Sequence, residues 1–545
     1  MVKRTILNNK YNIFLFILLF YAFIIRTHNI SERTFDFYDE GWYTASTGSA
    51  IVLADYMYSH FYEIVNGNFD SDELRKTVKQ NSPVIFGVSG KPAFYTVLLL
   101  GLLLGGFNQF SLFFEMIIIS LIIVYIIFAT AKHLFDQRVG LFAAYFSVFS
   151  GIMVFFSRLA MPQMLMVMWC MLSFYSSFRI REGTWAIVFG ISSAFAFFTH
   201  PACGLILISI WIYVAFSIFI KRMKKDKNVI FRIILSTALL SFIFILIAYL
   251  PQILFKNQIN NPDSYFENLL KRGVDNGIDT GLFSSINQIP YLFQNIWESE
   301  YLAVFFIIIG LGVLLFKYHR NKQVWLALIP TLFTLIYFLM GISYRFRMFI
   351  LIYPFLNILA GLGFVFIYDF LLSKNNFPRL GLFIKGVFCS VIIAIMINSI
   401  NLSLSSENSN KYSFQRISSG LDHYLENLPS GESREVSIYQ GHLGPWFYYY
   451  FAKDRIKKYY PNLAKSIIWD WSRERPKKES YGDIIIILEG DELSDKINKE
   501  ITDELIGKRK PILRAPFSKN KRNDYLGSTF ERKETFLNVY DLKNN

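Results

Sequence analysis

Lys91-Pro-Ala-Phe-Tyr-Thr-Val-Leu-Leu-Leu-Gly-Leu-Leu-Leu-Gly-Gly-Phe107 decides how the rest of the chain is threaded. Its apolar run from Ala93 to Phe107 has about 15 residues, short of the ~20 that a helix needs to cross ~30 Å of hydrocarbon. It reads as a re-entrant or interfacial helix that begins at Lys91. Counting it as a crossing would reverse every later loop and put Lys132 and Arg138 outside.

On either side of it lie longer apolar spans, at 11–26, 112–131, 139–157, 162–178, 184–199, 202–220, 233–252, 301–316, 323–341, 348–370 and 384–403. With Lys3, Arg4 and Lys10 inside, alternate gaps should also be inside. These carry Lys132 and Arg138; Arg179 and Arg181; Lys221, Arg222, Lys224, Lys225 and Lys227; Lys317, Arg320 and Lys322; Lys374 and Arg379. Every such gap is basic, as the positive-inside bias of short loops demands. The fold class is therefore a polytopic α-helical membrane protein of about 11 spans plus the re-entrant or interfacial helix, lying in the cell membrane with its N-terminus cytoplasmic. No small-residue cleavage site follows the first span, which reads as a retained signal anchor.

Composition agrees. The 545 residues are 53% hydrophobic and 18% aromatic, with mean hydropathy +0.35. A net charge of +14 would suit nucleic acid, but the cations sit in short loops between apolar runs, so no nucleic-acid partner is expected. Cys170, Cys203 and Cys389 all fall in apolar spans and form no disulfide framework or zinc spacing. Internal repeats of the inverted-transporter kind and Gly-rich nucleotide motifs are absent from the sequence.

The threading divides the chain into a membrane domain, 1–403, and an external or periplasmic tail, 404–545. The tail has strand candidates at 435–439, 483–488 and 536–540, with a helical pattern between the first two, and reads as a small α/β domain. Within the membrane domain the long external segments are 27–111 and 253–300. The same threading collects the unusual polar residues on the external side: Asp39, Glu40, Lys91, Arg158, His200, Tyr344, Arg345 and Arg347. Arg158, Arg345 and Arg347 break the rule that short external loops avoid cations, and a lipid phosphate or a buried carboxylate would account for them. Each has a plainer reading. Lys91 suits a snorkelling anchor, Arg158 a structural partner of Asp39 or Glu40, Arg345 and Arg347 interface anchors beside Tyr344, and His200 before Pro201 a helix cap.

Several stretches resemble the polyprenyl-phosphate-sugar glycosyltransferases of the protein mannosyltransferase and aminoarabinose transferase type. Tyr38-Asp-Glu-Gly-Trp-Tyr43 resembles their acidic first-loop motif, and Gly90-Lys-Pro-Ala-Phe-Tyr95 their Lys-Pro-Pro-hydrophobic-Tyr segment. Phe107-Asn-Gln-Phe-Ser-Leu112 and Ala131-Lys-His-Leu-Phe-Asp-Gln-Arg138 are similar to the linker and basic turn that follow. Ser157-Arg-Leu-Ala-Met-Pro162 resembles Ala-Arg-x-x-x-Pro-Asp, and Tyr344-Arg-Phe-Arg-Met-Phe-Ile-Leu-Ile-Tyr-Pro354 the late arginine-to-proline span. Three positions depart. Gln163 replaces the acid after the proline, Gly90 replaces the glutamate that the aminoarabinose branch associates with a metal, and Ala93 replaces the second proline.

The resemblance implies the C-type glycosyltransferase fold and transfer of a monosaccharide from a polyprenyl-phosphate donor to an acceptor hydroxyl, on a glycan, a lipid or a protein. Membrane lipids are the other expected partners. Asp39 and Glu40 would be the catalytic acids, one taking the acceptor's proton. Lys91, Arg158, Arg345 and Arg347 would hold the donor phosphate, whose charge grows as the lipid departs. His200 and Tyr344 would be accessory. The resemblance makes no cofactor certain, and a divalent metal has weak support. Two other classes share the composition: a transporter or flippase for lipid-linked saccharides, and an inactive relative acting as an assembly subunit.

Overall fold

The computed structural model describes residues 2–28, 30, 43, 47, 58–59, 66, 91–105, 109–220, 227–254, 289–318, 332, 346–373, 378–405, 410–430, 432–438, 462, 467–468, 483–489, 506, 509–520 and 532–543. The apolar runs fold as helices because in hydrocarbon each backbone N–H and C=O must be satisfied within its own segment. They are α1 (Val2–Thr27), α2 (Pro92–Gly105), α3 (Gln109–Leu134), α4 (Gln137–Phe149), α5 (Gly151–Ser157), α6 (Pro162–Phe178), α7 (Gly183–Thr199), α8 (Cys203–Ile220), α9 (Lys227–Leu254) and α10 (Ile289–Lys317). A 3₁₀ segment, Phe346–Ile352, leads into α11 (Tyr353–Ser373), and α12 (Pro378–Ser405) follows. Four of these helices are long and apolar enough to cross a membrane, at Lys10–Thr27, Phe110–Leu134, Asn228–Ile247 and Phe349–Leu372. The expected span at 323–341 lies outside the described residues. At 14 residues, α2 rises only about 21 Å, as its short apolar run requires.

One expected span differs. Residues 139–157 do not form a continuous helix; Ser150 (φ −66°, ψ 119°) is extended and separates α4 from α5. The long helix α10 is likewise interrupted, at Glu300 (φ −135°, ψ 24°). The two breaks meet, since the Ser150 hydroxyl donates to Glu300 Oε1 at 2.5 Å.

Glycine sets the closest helix approaches. Along Leu359-Ala-Gly-Leu-Gly363, Gly361 faces the α4 backbone at Val139 and Ala143, while Gly363 faces Phe306 and Gly310 of α10. Without side chains the backbones come into direct contact, the usual source of helix affinity where lipid already satisfies apolar surface. At the cytoplasmic end of the sequence-based topology, Arg138 of α4 grips Asp369 of α11 with two hydrogen bonds, at 2.7 and 2.9 Å. Substituting Gly363 by Ala should therefore force α10 from α11 and cost about 1–3 kcal/mol. By contrast, none of the described residues lies within 4 Å of a Cβ at Gly312, so Gly312→Ala should be neutral or raise stability by up to ~1 kcal/mol. Thermal unfolding of both variants in detergent checks the pair, and a fall for Gly312→Ala equal to that for Gly363→Ala would contradict the packing assignment.

After 405 the chain forms an amphipathic helix, α13 (Asn410–Glu426), and a five-stranded sheet of β1 (Val436–Ile438), β2 (Ile467–Ile468), β3 (Ile484–Glu489), β4 (Leu513–Asn520) and β5 (Arg532–Asp541), in the order β2-β1-β3-β5-β4. β1 is parallel to β2 and β3, and β5 is antiparallel to β3 and β4. Consecutive Ile484, Ile485 and Ile486 are all buried, as in a central strand covered on both faces. Tyr424 of α13 and Arg434 both bond the buried Asp541 carboxylate of β5, at 2.5 and 3.3 Å. The helix expected between the first two strands lies outside the described residues.

Candidate functional site

Pro92 opens α2 at the first helical position, where its missing N–H costs nothing. Lys91 is thereby placed at the mouth of the helix, half-buried. Its ammonium bonds the Tyr43 hydroxyl and lies 4.3 Å from the centre of the Tyr43 ring. Tyr43 also packs edge-on against Phe94 and Tyr95, with centroids 5.1 and 5.9 Å apart. The segment between α1 and α2 is thus fastened to the start of α2 at Tyr43, three residues past Glu40 in sequence. Two residues after Lys91, Ala93 packs with Phe198, near the end of α7, and Phe244 of α9.

His200 ends α7. Its backbone N–H bonds Ala196 O, and its Nδ1 accepts from the Ala202 N–H at 3.1 Å. It caps the junction, the plainer of its two sequence readings. Arg158 ends α5 and is fully buried; its Nη2 donates to the His28 carbonyl at 2.7 Å. That bond ties the end of α5 to the exit of α1, from which the acidic segment departs. Asp39, Glu40, Tyr344 and Arg345 lie outside the described residues. Arg347 falls in the 3₁₀ segment, its side chain outside the described ones.

The buried polar groups include two that the sequence reading passed over, Arg26 and Glu300, and one that it named, Gln163. Arg26 is completely buried and donates to Ala22 O, Val148 O and Ser147 O, each at 3.3 Å. It sits at a span end, where an arginine reads as a snorkelling anchor. Glu300 is 8% exposed and reads in sequence as the flank of a loop. Gln163 is fully buried after Pro162, and neither its amide nitrogen nor its oxygen has a hydrogen-bond partner among the described residues. Among the described residues no three His, Cys, Asp or Glu side chains cluster as metal ligands. Neutral Gln163 and Gly90 supply no anionic ligand at the two positions where the resemblance would put one.

Residues 90–252 match the family model described as dolichyl-phosphate-mannose-protein mannosyltransferase. ArnT from Cupriavidus metallidurans, in a crystal structure bound to undecaprenyl phosphate, superposes with a TM-score of 0.55 at 10% identity, covering 96% of this chain and 97% of that one. The oligosaccharyltransferase AglB from Archaeoglobus fulgidus, in complex with an inhibitory peptide and a dolichol-phosphate, superposes with a TM-score of 0.48 at 10% identity over 87% of this chain and 69% of its own; this more distant likeness carries no argument. No curated protein sequence matches the chain. The likeness to ArnT shows that the chain has an ArnT-like fold, and residues 90–252 within it match the mannosyltransferase family model.

Proposed function

We propose that this chain, an integral membrane protein with the C-type glycosyltransferase fold, moves a monosaccharide from a polyprenyl-phosphate donor to an acceptor hydroxyl on the external face. The observation that carries the reading is the Lys91–Tyr43 contact, because it brings a cation to the acidic motif. Asp39 is four residues along the chain from Tyr43, and four residues span at most about 14 Å. A base and a phosphate-binding cation are therefore held within reach of one donor.

Lys91 supplies the fixed positive charge for the departing polyprenyl phosphate, reinforced by the positive end of the α2 dipole. Asp39 accepts the acceptor's proton, and Glu40 orients a neighbouring group. Arg158 holds the exit of α1 through His28, and Arg345 and Arg347 complete the phosphate clamp. The undecaprenyl phosphate bound by ArnT supports a lipid of that class. The C-terminal sheet and its helix are assigned to an external α/β domain. A flippase needs charges along a passage, whereas Arg26 and Glu300 spend their hydrogen bonds on neighbouring backbone and Ser150.

The decisive experiment incubates purified protein with undecaprenyl-phosphate monosaccharides tritiated in the sugar, taken one sugar at a time, and an envelope fraction from a deletion strain lacking this protein. Transfer of label to a glycan missing from that strain is the expected result. Movement of intact lipid-linked sugar between leaflets of a vesicle, without transfer, would replace this reading by the flippase. The external placement has its own test. In a background without native cysteines, Ser71→Cys and Ser494→Cys should react with an impermeant thiol reagent in whole cells, and Asn228→Cys should not. The reverse pattern would overturn the external face.

A further inference from the structure

Arg26 and Glu300 come from helices far apart in sequence, yet they address the two sides of the same break. The guanidinium of Arg26 donates to the carbonyls of Ser147 and Val148, in the last turn of α4. The carboxylate of Glu300 accepts from the Ser150 hydroxyl and from the backbone N–H groups of Gly151 and Ile152, in the first turn of α5. Ser150 Oγ in turn accepts from the Met153 N–H at 3.3 Å.

A helix that stops inside a bundle leaves carbonyls unpaired on one side and N–H groups on the other. These carry partial negative and partial positive charge. Here a guanidinium meets the carbonyls and a carboxyl group meets the amides. Both groups are buried, a state that is costly for polar groups without hydrogen-bonded partners. The far end of α5 is Arg158, bonded to His28, two residues beyond Arg26. The seven residues of α5 are thus fixed at one end by Glu300 and at the other by the exit of α1.

We propose that Arg26 and Glu300 act together as a hydrogen-bonded splint across the break at Ser150, and that Glu300 is a positioning residue which, through α5, sets Arg158 and the start of the acidic segment. The positioning part rests on the transferase reading above; the splint does not.

The test is a double-substitution cycle on the purified full-length protein in detergent. Glu300→Gln keeps the shape and one acceptor oxygen but loses the other, and Arg26→Met keeps length without the guanidinium. Each single change should lower the thermal midpoint by about 5 °C or more, and the double variant should fall by clearly less than the sum. Additive falls, or a midpoint unchanged in Glu300→Gln, would overturn the splint. In the transfer assay, Glu300→Gln should lower kcat by about tenfold to a hundredfold, with KM for the donor within about twofold, because the site keeps its groups and loses their placement. An unchanged kcat in Glu300→Gln would overturn the positioning role. A wild-type protein that transfers no sugar would count against the transferase reading and the positioning role with it, and the stability cycle would still decide the splint.

Discussion

Asp39→Asn should lose transfer by ~10²–10⁴-fold while its affinity for the lipid donor stays near wild type. The amide has the shape of the carboxylate but cannot take a proton at the moment the acceptor oxygen attacks. Loss in kcat with donor binding intact separates a base from a residue that merely shapes the loop. Steady-state kinetics of the purified variant, with binding of undecaprenyl phosphate measured on the same preparation, is the check. Turnover within about threefold of wild type would remove Asp39 from the mechanism.

Lys91→Ala should lose ~2–4 kcal/mol of transition-state stabilisation, roughly 30- to 1000-fold in rate, because one fixed charge-assisted bond to the departing phosphate disappears. Undecaprenyl phosphate should also bind more weakly. The Tyr43 contact gives a structural rival, in which Lys91 only pins Tyr43 in place. Tyr43→Phe discriminates between them. It removes the hydroxyl partner but keeps the ring that packs on Phe94 and Tyr95. If Lys91 serves the phosphate, Tyr43→Phe should retain most activity and Lys91→Arg some of it. Equal losses in Tyr43→Phe and Lys91→Ala, with lipid-phosphate affinity unchanged in both, would leave Lys91 as an anchor.

Much of the architecture was readable from sequence because hydrocarbon imposes one strong rule, long apolar runs closed on themselves as helices. The short run after Lys91 and the strands near 436, 484 and 536 followed from length and pattern. What escaped was made by distant partners. The Ser150-Gly151 pair is a weak break signal inside the apolar run Phe146-Ser-Val-Phe-Ser-Gly-Ile152, and the groups that bond its two ends, Arg26 and Glu300, lie more than a hundred residues away on either side. Strand β4 escaped for a different reason. It contains Pro516 together with Arg514 and Lys519, a composition that argues against a central strand and suits the edge position it occupies. Within the candidate site, Lys91 and the capping of His200 were legible from their proline neighbours. Arg158 was marked by its charge in a short loop, but its bond to the His28 carbonyl was not, since a backbone acceptor leaves no trace in side-chain identity. Asp39, Glu40, Tyr344 and Arg345 rest on sequence alone.

The attachment of Tyr43 to Lys91 closes a separation of 48 residues. Its consequence is best expressed as a local concentration. A carboxylate tethered four residues from a fixed point explores at most a sphere of about 14 Å radius, equivalent to on the order of 0.1 M of that carboxylate around Lys91. On the proposed reading, the aromatic contact keeps Asp39 near Lys91 at that concentration without touching the reacting atoms. On that reading, any ligand or mutation that detaches the Tyr43 ring should dilute Asp39 around Lys91, leaving Lys91 at the start of α2.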